Sequence, residues 1–273
     1  MTATPDTIGL IAGNGAFPRL FAKAAKERGL RVVAVAMRGE TDPAIADEVD
    51  VLTWVRVGQL GKMIRALKRE GVQRAAMAGG VRKTRLFEGV RPDFTAVKVL
   101  ARCALKNDDG MLRAVAAEYE RAGIEIVDST LYMPESLSPS GPLTGQVPSK
   151  AQKKDLLFGY KIAREIGLLD IGQTVIVRDG AVVALEAIEG TDACIRRAGE
   201  LMGRQGGVMV KVAKPNQDMR FDVPAIGVAT ITRLAEAGIE VLGIEAGRTL
   251  LLEPQSIIEA AEAHNIVLVG LKP

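Results

Sequence analysis

A chain of 273 residues is long enough for two compact domains, and 48% hydrophobic with 25% charged residues is ordinary for a globular protein. The net charge is only +3, and the lysines and arginines are spread along the chain, which argues against a nucleic-acid partner. No stretch approaches the roughly 18 apolar residues of a membrane span, and the short polar start does not resemble a signal peptide, so we expect a cytoplasmic protein that is at most peripheral to the inner membrane.

Strand and helix signals alternate in the first part of the chain. Apolar runs predict strands at 7–12, 30–37, 49–55, 73–78 and 124–128, and amphipathic stretches predict helices at 16–28, 60–69, 94–105 and 110–121. Apolar strands that alternate with helices form a parallel sheet covered on both faces. We therefore predict a Rossmann-like α/β domain over residues 1–131.

A stretch rich in Pro, Ser and Gly follows, and it predicts a linker at 132–149. A long surface loop within one domain is the alternative. Beyond it, helices are predicted at 150–167, 193–202, 230–237 and 254–263, and strands at 174–177, 181–187, 208–212, 239–244, 249–252 and 266–269. Because the first two of these strands flank an Asp-Gly turn and read as a hairpin, we predict a second α/β domain with a mixed sheet over 150–273, carrying most of the catalytic residues.

Two glycine turns end predicted strands at the same edge of the first sheet. One is Gly13, Asn14 and Gly15, which opens a helix, and the other is Gly79 and Gly80, followed by Arg82 and Lys83. Backbone N–H groups at a helix start favour anions, so the two turns together predict a pocket for phosphate or sugar. A plain tight turn is the alternative for each.

The first glycine turn does not complete a dinucleotide fingerprint. Its third glycine would fall at Pro18, and no acidic residue ends the second predicted strand, where Met37, Arg38 and Gly39 stand. An acid there would bind a ribose, whereas Arg38 favours a phosphate. An NAD enzyme is therefore the least favoured reading.

Three polar segments in the last third of the chain each end or follow an apolar run: 189–192, 211–224 and 245–248. Segments at the ends of neighbouring strands can converge on one spot. Helix capping explains Thr191 or Asp192 equally well, and turn chemistry explains 214–218. Asp222 is harder to explain structurally, because it is held between Phe221 and Val223 ahead of a proline.

The residue types in these segments favour phosphate chemistry assisted by a metal. Nucleophilic catalysis lacks a base, since His264 is the only histidine and lies at a predicted helix end. Cys103 and Cys194 match no metal-ligand spacing and do not suggest a disulfide scaffold. Magnesium prefers carboxylates together with the phosphate oxygens of a substrate, and lysine or arginine offsets charge that develops on a phosphoryl group.

The chain resembles the LpxI family, the UDP-2,3-diacylglucosamine pyrophosphatases of lipid A biosynthesis in Gram-negative bacteria. The resemblance covers essentially the whole chain and rests on GLIAGNGAFP at 9–18, GQLG at 58–61, Asp108 and Asp109, EAIEGTD at 186–192, KVAKP at 211–215, QDMRFDVP at 217–224 and EAGRT at 245–249. It implies a magnesium-dependent hydrolase that splits UDP-2,3-diacylglucosamine into UMP and lipid X. It also implies a homodimer whose substrate lies in a cleft between two domains.

The resemblance also implies roles for individual residues. The essential acid falls on Asp222, with Asp218 and Asp192 as neighbours and fellow metal ligands, and Lys211 and Lys214 complete the predicted catalytic set. The residues predicted to bind substrate are Gly13, Asn14, Gly15, Gly79, Gly80, Glu189, Gly190, Thr191 and Arg248. One departure stands out: the family commonly shows a polar residue after the proline, where this sequence has Ala225.

Two other classes of protein fit the same features. A two-domain glycosyltransferase also holds a sugar nucleotide between its domains, but it would release UDP on transfer to an acceptor. A nucleotide-binding regulator would bind a UDP-sugar tightly without turnover. The identity of the released nucleotide separates these readings from a pyrophosphatase.

Overall fold

The computed structural model describes residues 6–81, 92–102, 108–215, 217–221 and 223–272. These divide into two packed units. The first unit holds the described residues up to 134 together with 218–221, and the second unit holds the others. Arg82, Lys83, Cys103 and Asp222, which the sequence reading discussed, lie outside the described residues.

The first unit is built on a five-stranded sheet in which all strands are parallel, in the order β3-β2-β1-β4-β5. Its elements are β1 (Thr7–Ala12), α1 (Phe17–Glu27), β2 (Arg31–Met37), β3 (Val51–Val55), α2 (Leu60–Arg69), β4 (Arg74–Ala78), α3 (Phe94–Arg102), α4 (Asp108–Arg121) and β5 (Glu125–Ile126). This is the Rossmann order 3-2-1-4-5-6 without the sixth strand, and the direction of winding reverses between β1 and β4. The two predicted glycine turns follow these two strands, so the Rossmann-like fold is confirmed.

Residues 218–221 pack with the first unit, although they were predicted within the second domain. The Phe221 side chain is 8% exposed and belongs to the apolar core of this unit. The Ser129 hydroxyl donates to the Met219 carbonyl at 3.2 Å, and the Arg220 guanidinium donates to the Glu120 carboxylate at 2.8 Å. The segment is therefore anchored both by apolar burial and by polar contacts.

Asp218 is held in this segment by a two-pronged ion pair. Arg220 Nε lies 2.9 Å from Asp218 Oδ1, and Arg220 Nη2 lies 2.8 Å from Oδ2. Hydrogen bonding from the guanidinium lowers the pKa of the Asp218 carboxyl below its ordinary value, because it favours the charged form. The Asp218 carboxylate is thus paired with Arg220 of its own segment.

The lowered pKa predicts how stability depends on pH. A carboxyl whose pKa is lower in the folded state contributes stability above its unfolded pKa of about 3.9, and that contribution is lost as pH falls through the folded pKa. We expect wild type to melt a few degrees above Asp218→Asn at pH 7 and the gap to close in strong acid. Melting curves between pH 2 and 7 test this. Arg220→Gln removes the same pair together with the Glu120 contact, so its gap should be at least as large at pH 7 and should also close in strong acid. A gap that stays constant down to pH 2 would contradict the prediction.

The second unit contains a six-stranded mixed sheet in the order β6-β13-β11-β9-β7-β8. Its elements are β6 (Gly141–Pro142), α5 (Lys150–Leu168), β7 (Thr174–Arg178), β8 (Ala181–Leu185), α6 (Thr191–Leu201), β9 (Val208–Lys211), β10 (Ala225–Ile226), α7 (Val228–Ala237), β11 (Val241–Glu245), β12 (Leu250–Leu251), α8 (Pro254–Ala263) and β13 (Val267–Leu271). The central strands β13, β11 and β9 are parallel, and β6, β7 and β8 run antiparallel to their neighbours. The predicted mixed sheet is therefore confirmed.

Each face of this sheet has its own apolar core. One core includes residues of α6, α7 and α8, and the other includes residues of α5. A separate pair of two-residue strands, β10 and β12, runs parallel beside the main sheet. Side chains at the ends of β9 and β11 can therefore face either of two helical layers.

The residues predicted as a linker, 132–149, are packed and hydrogen-bonded. Those from 135 onward lie in the second unit, where β6 pairs with β13. The Leu143 amide donates to Leu268 and the Ser138 amide to Thr249, each at 2.8 Å. Ser149 then caps α5 by accepting from the Gln152 amide. The segment 135–149, rich in proline and glycine, therefore runs along the second sheet and ends at the cap of α5.

Candidate functional site

A cavity of about 320 Å³ opens in the second unit beside the first turns of α6 and α7. It is lined by Glu189, Gly190, Thr191, Asp192, Lys211, Ala225 and Thr230. The first five of these were predicted as site residues from the sequence. Their convergence follows from the topology, because the end of β9 and the segment leading into α6 lie at one edge of the sheet.

Two helix starts face this cavity with backbone donors available to a ligand. Gly190 precedes α6 and Gly227 precedes α7, and among the described residues neither helix start is capped by a side chain. The first amides of a helix and its dipole favour an anion. Since Gly190 has a φ of 82°, a conformation that L-residues rarely adopt, glycine suits the entry to α6.

Lys211 places a largely buried ammonium group at the cavity wall. Its side chain comes from the end of β9 and the residue is only 8% exposed. Lys211 Nζ donates to the Ala225 carbonyl at 3.2 Å and approaches Thr191 Oγ1 at 3.4 Å. A cation held this way cannot move far, so it presents a fixed positive charge to whatever enters.

Thr191 links Lys211 to a buried acid. The Thr191 hydroxyl donates to Glu186 Oε1 at 2.7 Å, and the Glu186 residue is 8% exposed. The same hydroxyl oxygen accepts from Lys211. Glu186 was quoted in a motif but not predicted as a site residue. The signal was an acid directly after the apolar run of β8 and five residues before Thr191.

This arrangement predicts a measurable effect for Thr191→Val, which keeps the shape of the side chain and removes its hydroxyl. We expect turnover of the UDP-sugar that the family resemblance implies to fall on the order of tenfold. The hydroxyl that bridges Lys211 and Glu186 is lost, and its hydrogen bonds contribute roughly 1–1.5 kcal/mol. Thr232→Val is the matched control: Thr232 is an exposed threonine on α7 whose hydroxyl donates to the Val228 carbonyl of the same helix. Turnover in Thr191→Val equal to that of the control would contradict the prediction.

The two carboxylates at the cavity mouth are paired with arginines. Glu189 Oε1 accepts from Arg197 at 2.6 Å, and Asp192 lies 3.3 Å from Arg233. Backbone hydrogen bonding at Glu189, followed by the bond from Arg197, lowers the pKa of the Glu189 carboxyl. Both acids are therefore compensated by arginines, while Lys211, linked through Thr191 to Glu186, and the two helix starts can contact a ligand.

Two of the three predicted metal ligands lie among the described residues, one in each unit. Asp192 lies in the second unit with Arg233, and Asp218 lies in the first unit with Arg220. Asp222 lies outside the described residues. Within the ranges that the structure describes, no group of three or more His, Cys, Asp or Glu could hold a metal ion.

Lys214 and Arg248, also predicted to hold phosphate, belong to different surroundings. Lys214 Nζ pairs with Asp170 Oδ1, and its turn packs closely on α5 at Gly167, where a Cβ would lie 3.2 Å from Pro215. Arg248 lies beside the buried Glu245. Neither residue lines the cavity around Lys211 among the described residues.

In the first unit, the two predicted glycine turns pair with each other. The Gly13 amide donates to Ala78 and the Asn14 amide donates to Gly80, each at 2.8 Å. The contact is so close that a Cβ on Gly79 would lie 2.2 Å from the Asn14 carbonyl oxygen. Those two amides therefore bind the neighbouring turn, and any anion at this edge would meet the amides closer to α1.

The sequence reading also missed an acid at the end of β2. Asn14 Nδ2 donates to Glu40 Oε2 at 3.2 Å, and Glu40 is largely buried. The turn after β2 folds back because the Thr41 hydroxyl donates to the Ala12 carbonyl and accepts from the Met37 amide. No acid ends β2 itself, as expected, but Glu40 follows the strand by three residues and folds back to Asn14.

A Rossmann-like unit, a mixed-sheet unit and a cavity where a lysine lies beside two helix starts together define a two-part α/β protein. Residues 7–136 match the family described as LpxI N-terminal domain, and residues 139–269 match the LpxI C-terminal domain. The chain belongs to the LpxI family.

A curated relative extends this match over the full length. The UDP-2,3-diacylglucosamine pyrophosphatase LpxI of Caulobacter vibrioides is 37% identical over 281 aligned positions, which cover 97% of this chain and 98% of that protein. Among solved structures, the biotin carboxylase subunit of pyruvate carboxylase matches 68% of this chain and 39% of its own with a TM-score of 0.26 and 16% identity. The structure of gox2253 covers 97% and 90% with a TM-score of 0.32 and 11% identity. These structural likenesses are too low to bear on function.

Cys194 is a free thiol with no place in this chemistry. It is fully buried on α6, and burial raises the pKa of its thiol to about 12. A protonated, enclosed thiol is a poor nucleophile. Among the helices that the structure describes, none has the length and hydrophobicity needed to cross a bilayer.

Proposed function

We propose that this protein hydrolyses the pyrophosphate bond of UDP-2,3-diacylglucosamine, releasing UMP and lipid X, in lipid A biosynthesis. The observation that carries the proposal is the full-length similarity to a pyrophosphatase of that name, 37% identical over 97% of this chain. The cavity around Lys211 supports it, because a pyrophosphate is an anion of the kind that a buried lysine and two helix starts bind.

The residues of the cavity have distinct tasks in this reaction. When water attacks one phosphorus atom, negative charge grows on the phosphoryl oxygens and on the leaving phosphate. Lys211, fixed by the Ala225 carbonyl and by Thr191, stabilises that charge. Glu186 orients the Thr191 hydroxyl, so that the lysine and the start of α6 keep one geometry.

Ala225 contributes through its main chain. Its carbonyl accepts from Lys211, and its backbone forms β10, which pairs with β12. The side chain at this position is therefore not what holds the lysine. A polar residue there in other members of the family is compatible with the same carbonyl contact.

The acid that directs the water is proposed to be Asp222, with magnesium bound by Asp222 and assisted by Asp192 and Asp218. We further propose a homodimer that works in the cytoplasm, in peripheral contact with the inner membrane where its acylated substrate resides. Metal removal with EDTA followed by titration with Mg²⁺ tests the dependence on magnesium. Light scattering of the purified chain tests whether it is a homodimer. Activity that survives EDTA would exclude the metal.

The test of the function is incubation of the purified chain with UDP-2,3-diacylglucosamine and identification of the products by mass spectrometry. We expect UMP and lipid X in equal amounts. Release of UDP upon addition of an acceptor would indicate a glycosyltransferase instead. Tight binding of the UDP-sugar without turnover, at any Mg²⁺ concentration, would indicate a nucleotide-binding regulator.

A further inference from the structure

Helix α2 presents only cations to solvent. Its buried residues are Leu60, Gly61, Met63, Ile64, Ala66 and Leu67. The rest of the helix consists of Lys62, Arg65, Lys68 and Arg69, all of them exposed. Within the part of the chain that the structure describes, none of these cations forms an ion pair. Since neither α2 nor α3 contains an Asp or Glu, their positive charge is not offset within the two helices.

Helix α3 carries apolar side chains on its outer side. Phe94 is 75% exposed, Val97 is 47% exposed and Leu100 is 44% exposed. Residues three and four apart lie on one side of a helix, so Phe94, Val97 and the exposed Ala101 form one strip. Lys98 Nζ lies 4.5 Å from the centre of the Phe94 ring and adds a cation to this strip. Grouped apolar residues of this size mark an interaction surface more often than scattered ones do.

The two helices are in contact, so the cations of α2 border the apolar strip of α3. A Cβ on Gly61 would lie 2.7 Å from Thr95 Oγ1, which shows how closely the helices approach. The acid that precedes α3 is occupied by backbone donors: Asp93 accepts from the Lys62 amide at 3.2 Å and from the Ala96 amide at 3.0 Å. The surface that α2 and α3 share therefore combines unpaired cations with exposed apolar side chains.

We infer that this α2–α3 surface docks on an anionic phospholipid membrane. The surface consists of Lys62, Arg65, Lys68, Arg69, Phe94 and Val97. Anionic headgroups attract the lysines and arginines, and Phe94 and Val97 enter the boundary between the headgroups and the acyl chains. A second copy of this chain fits less well, because a two-fold contact would set the cationic surface against itself.

The inference assigns a surface to the membrane contact proposed above. It rests on the proposed function only in that the substrate is acylated and resides in the membrane. The charge of α2 and the exposure of α3 do not depend on which reaction the protein catalyses.

Sedimentation of the full chain with vesicles tests the docking. Vesicles made of equal parts phosphatidylcholine and phosphatidylglycerol should sediment the protein, and vesicles of phosphatidylcholine alone should bind it much more weakly. The binding should fall as salt is added, because salt screens the attraction between the cations and the membrane. Equal binding to both kinds of vesicle, or binding to neither, would overturn the inference.

Lys62→Gln/Arg65→Gln tests the cationic part of the surface. It should weaken binding to the phosphatidylglycerol vesicles on the order of 20-fold, since each cation near an anionic membrane contributes about fivefold. Lys153→Gln/Lys154→Gln is the matched control, because it removes two exposed lysines of α5 in the second unit. The control should stay within twofold of wild type. An equal loss in both variants would show a response to net charge alone and would contradict the assignment to α2.

Phe94→Ser/Val97→Ser tests the apolar part. It should weaken binding on the order of tenfold, and the binding that remains should keep its salt dependence because the cations of α2 are intact. Leu168→Ser/Leu169→Ser is the matched control, since these leucines are 55% and 71% exposed at the end of α5. The control should bind as wild type does. Binding by Phe94→Ser/Val97→Ser within twofold of wild type would overturn the insertion of these side chains.

Three further measurements keep the outcomes distinct. Circular dichroism with a melting curve establishes that each variant is folded, as we expect for exposed positions. Light scattering gives the oligomeric state, and a wild-type dimer that dissociates in Lys62→Gln/Arg65→Gln would assign the surface to a second copy and overturn the inference. The vesicle assay needs no turnover, so the absence of hydrolysis by wild type refutes the proposed function alone, and the absence of vesicle binding refutes the docking alone.

Discussion

Lys211→Met should lower the rate of UMP release on the order of 100- to 1,000-fold while the protein remains folded. The magnitude is that of removing one fixed donor from developing negative charge. Lys211 is largely buried and aimed at the cavity by two acceptors, the Ala225 carbonyl and Thr191. Methionine keeps the length and apolar stem of the side chain and removes only its charge and donors.

Steady-state turnover of UDP-2,3-diacylglucosamine is the measurement for this variant. Lys154→Met serves as its control, because Lys154 is exposed on α5. Lys211→Arg keeps the charge but not the ammonium geometry, so we expect activity between those of wild type and Lys211→Met. Turnover in Lys211→Met within a few-fold of the control would show that the cavity is not where the pyrophosphate reacts.

Asp222→Ala should reduce magnesium-dependent UMP release by at least about 100-fold, the effect expected for loss of a group that directs proton transfer or a metal. Its neighbours in sequence are anchored in different places. Phe221 is buried in the core of the first unit, and the Pro224 carbonyl accepts from Leu250 at 2.8 Å in the second.

Two further variants sharpen the test of Asp222. Asp222→Asn keeps the size of the side chain and removes its charge, so it should be nearly as inactive as Asp222→Ala. Asp47→Ala removes an exposed aspartate of the first unit and should leave UMP release unchanged. If release by Asp222→Ala persists within a few-fold of wild type, Asp222 is not the essential acid.

Local sequence patterns predicted the regular elements well where each element is long enough to show its own period. The helices Leu60–Arg69 and Pro254–Ala263 have the predicted bounds. The two-residue strands β6 and β10 were missed, because a strand so short shows no alternation and is defined only by its partner. The place of Phe221 in the first unit was also missed, since its packing partners are distant in sequence.

The site shows the same division between local and non-local information. The segment 189–192 and Lys211 were predicted because polar residues follow apolar strands, and those strands end at one edge. Their pairing with Arg197 and Arg233 was not predictable, because it depends on how α6 and α7 pack.

The burial of Phe221 in the first unit means that this unit is not a continuous piece of the chain. A fragment ending near residue 134 would lack the aromatic ring that fills part of its own core, and a fragment beginning there would carry that ring with nothing to bury it. The family descriptions divide the sequence near residues 136–139, but the polypeptide cannot be cut there without a loss on both sides. If relatives exchange the part of the chain before residue 134, the exchanged piece must come with residues 218–221 of the same parent, because Phe221 packs in the core of the first unit.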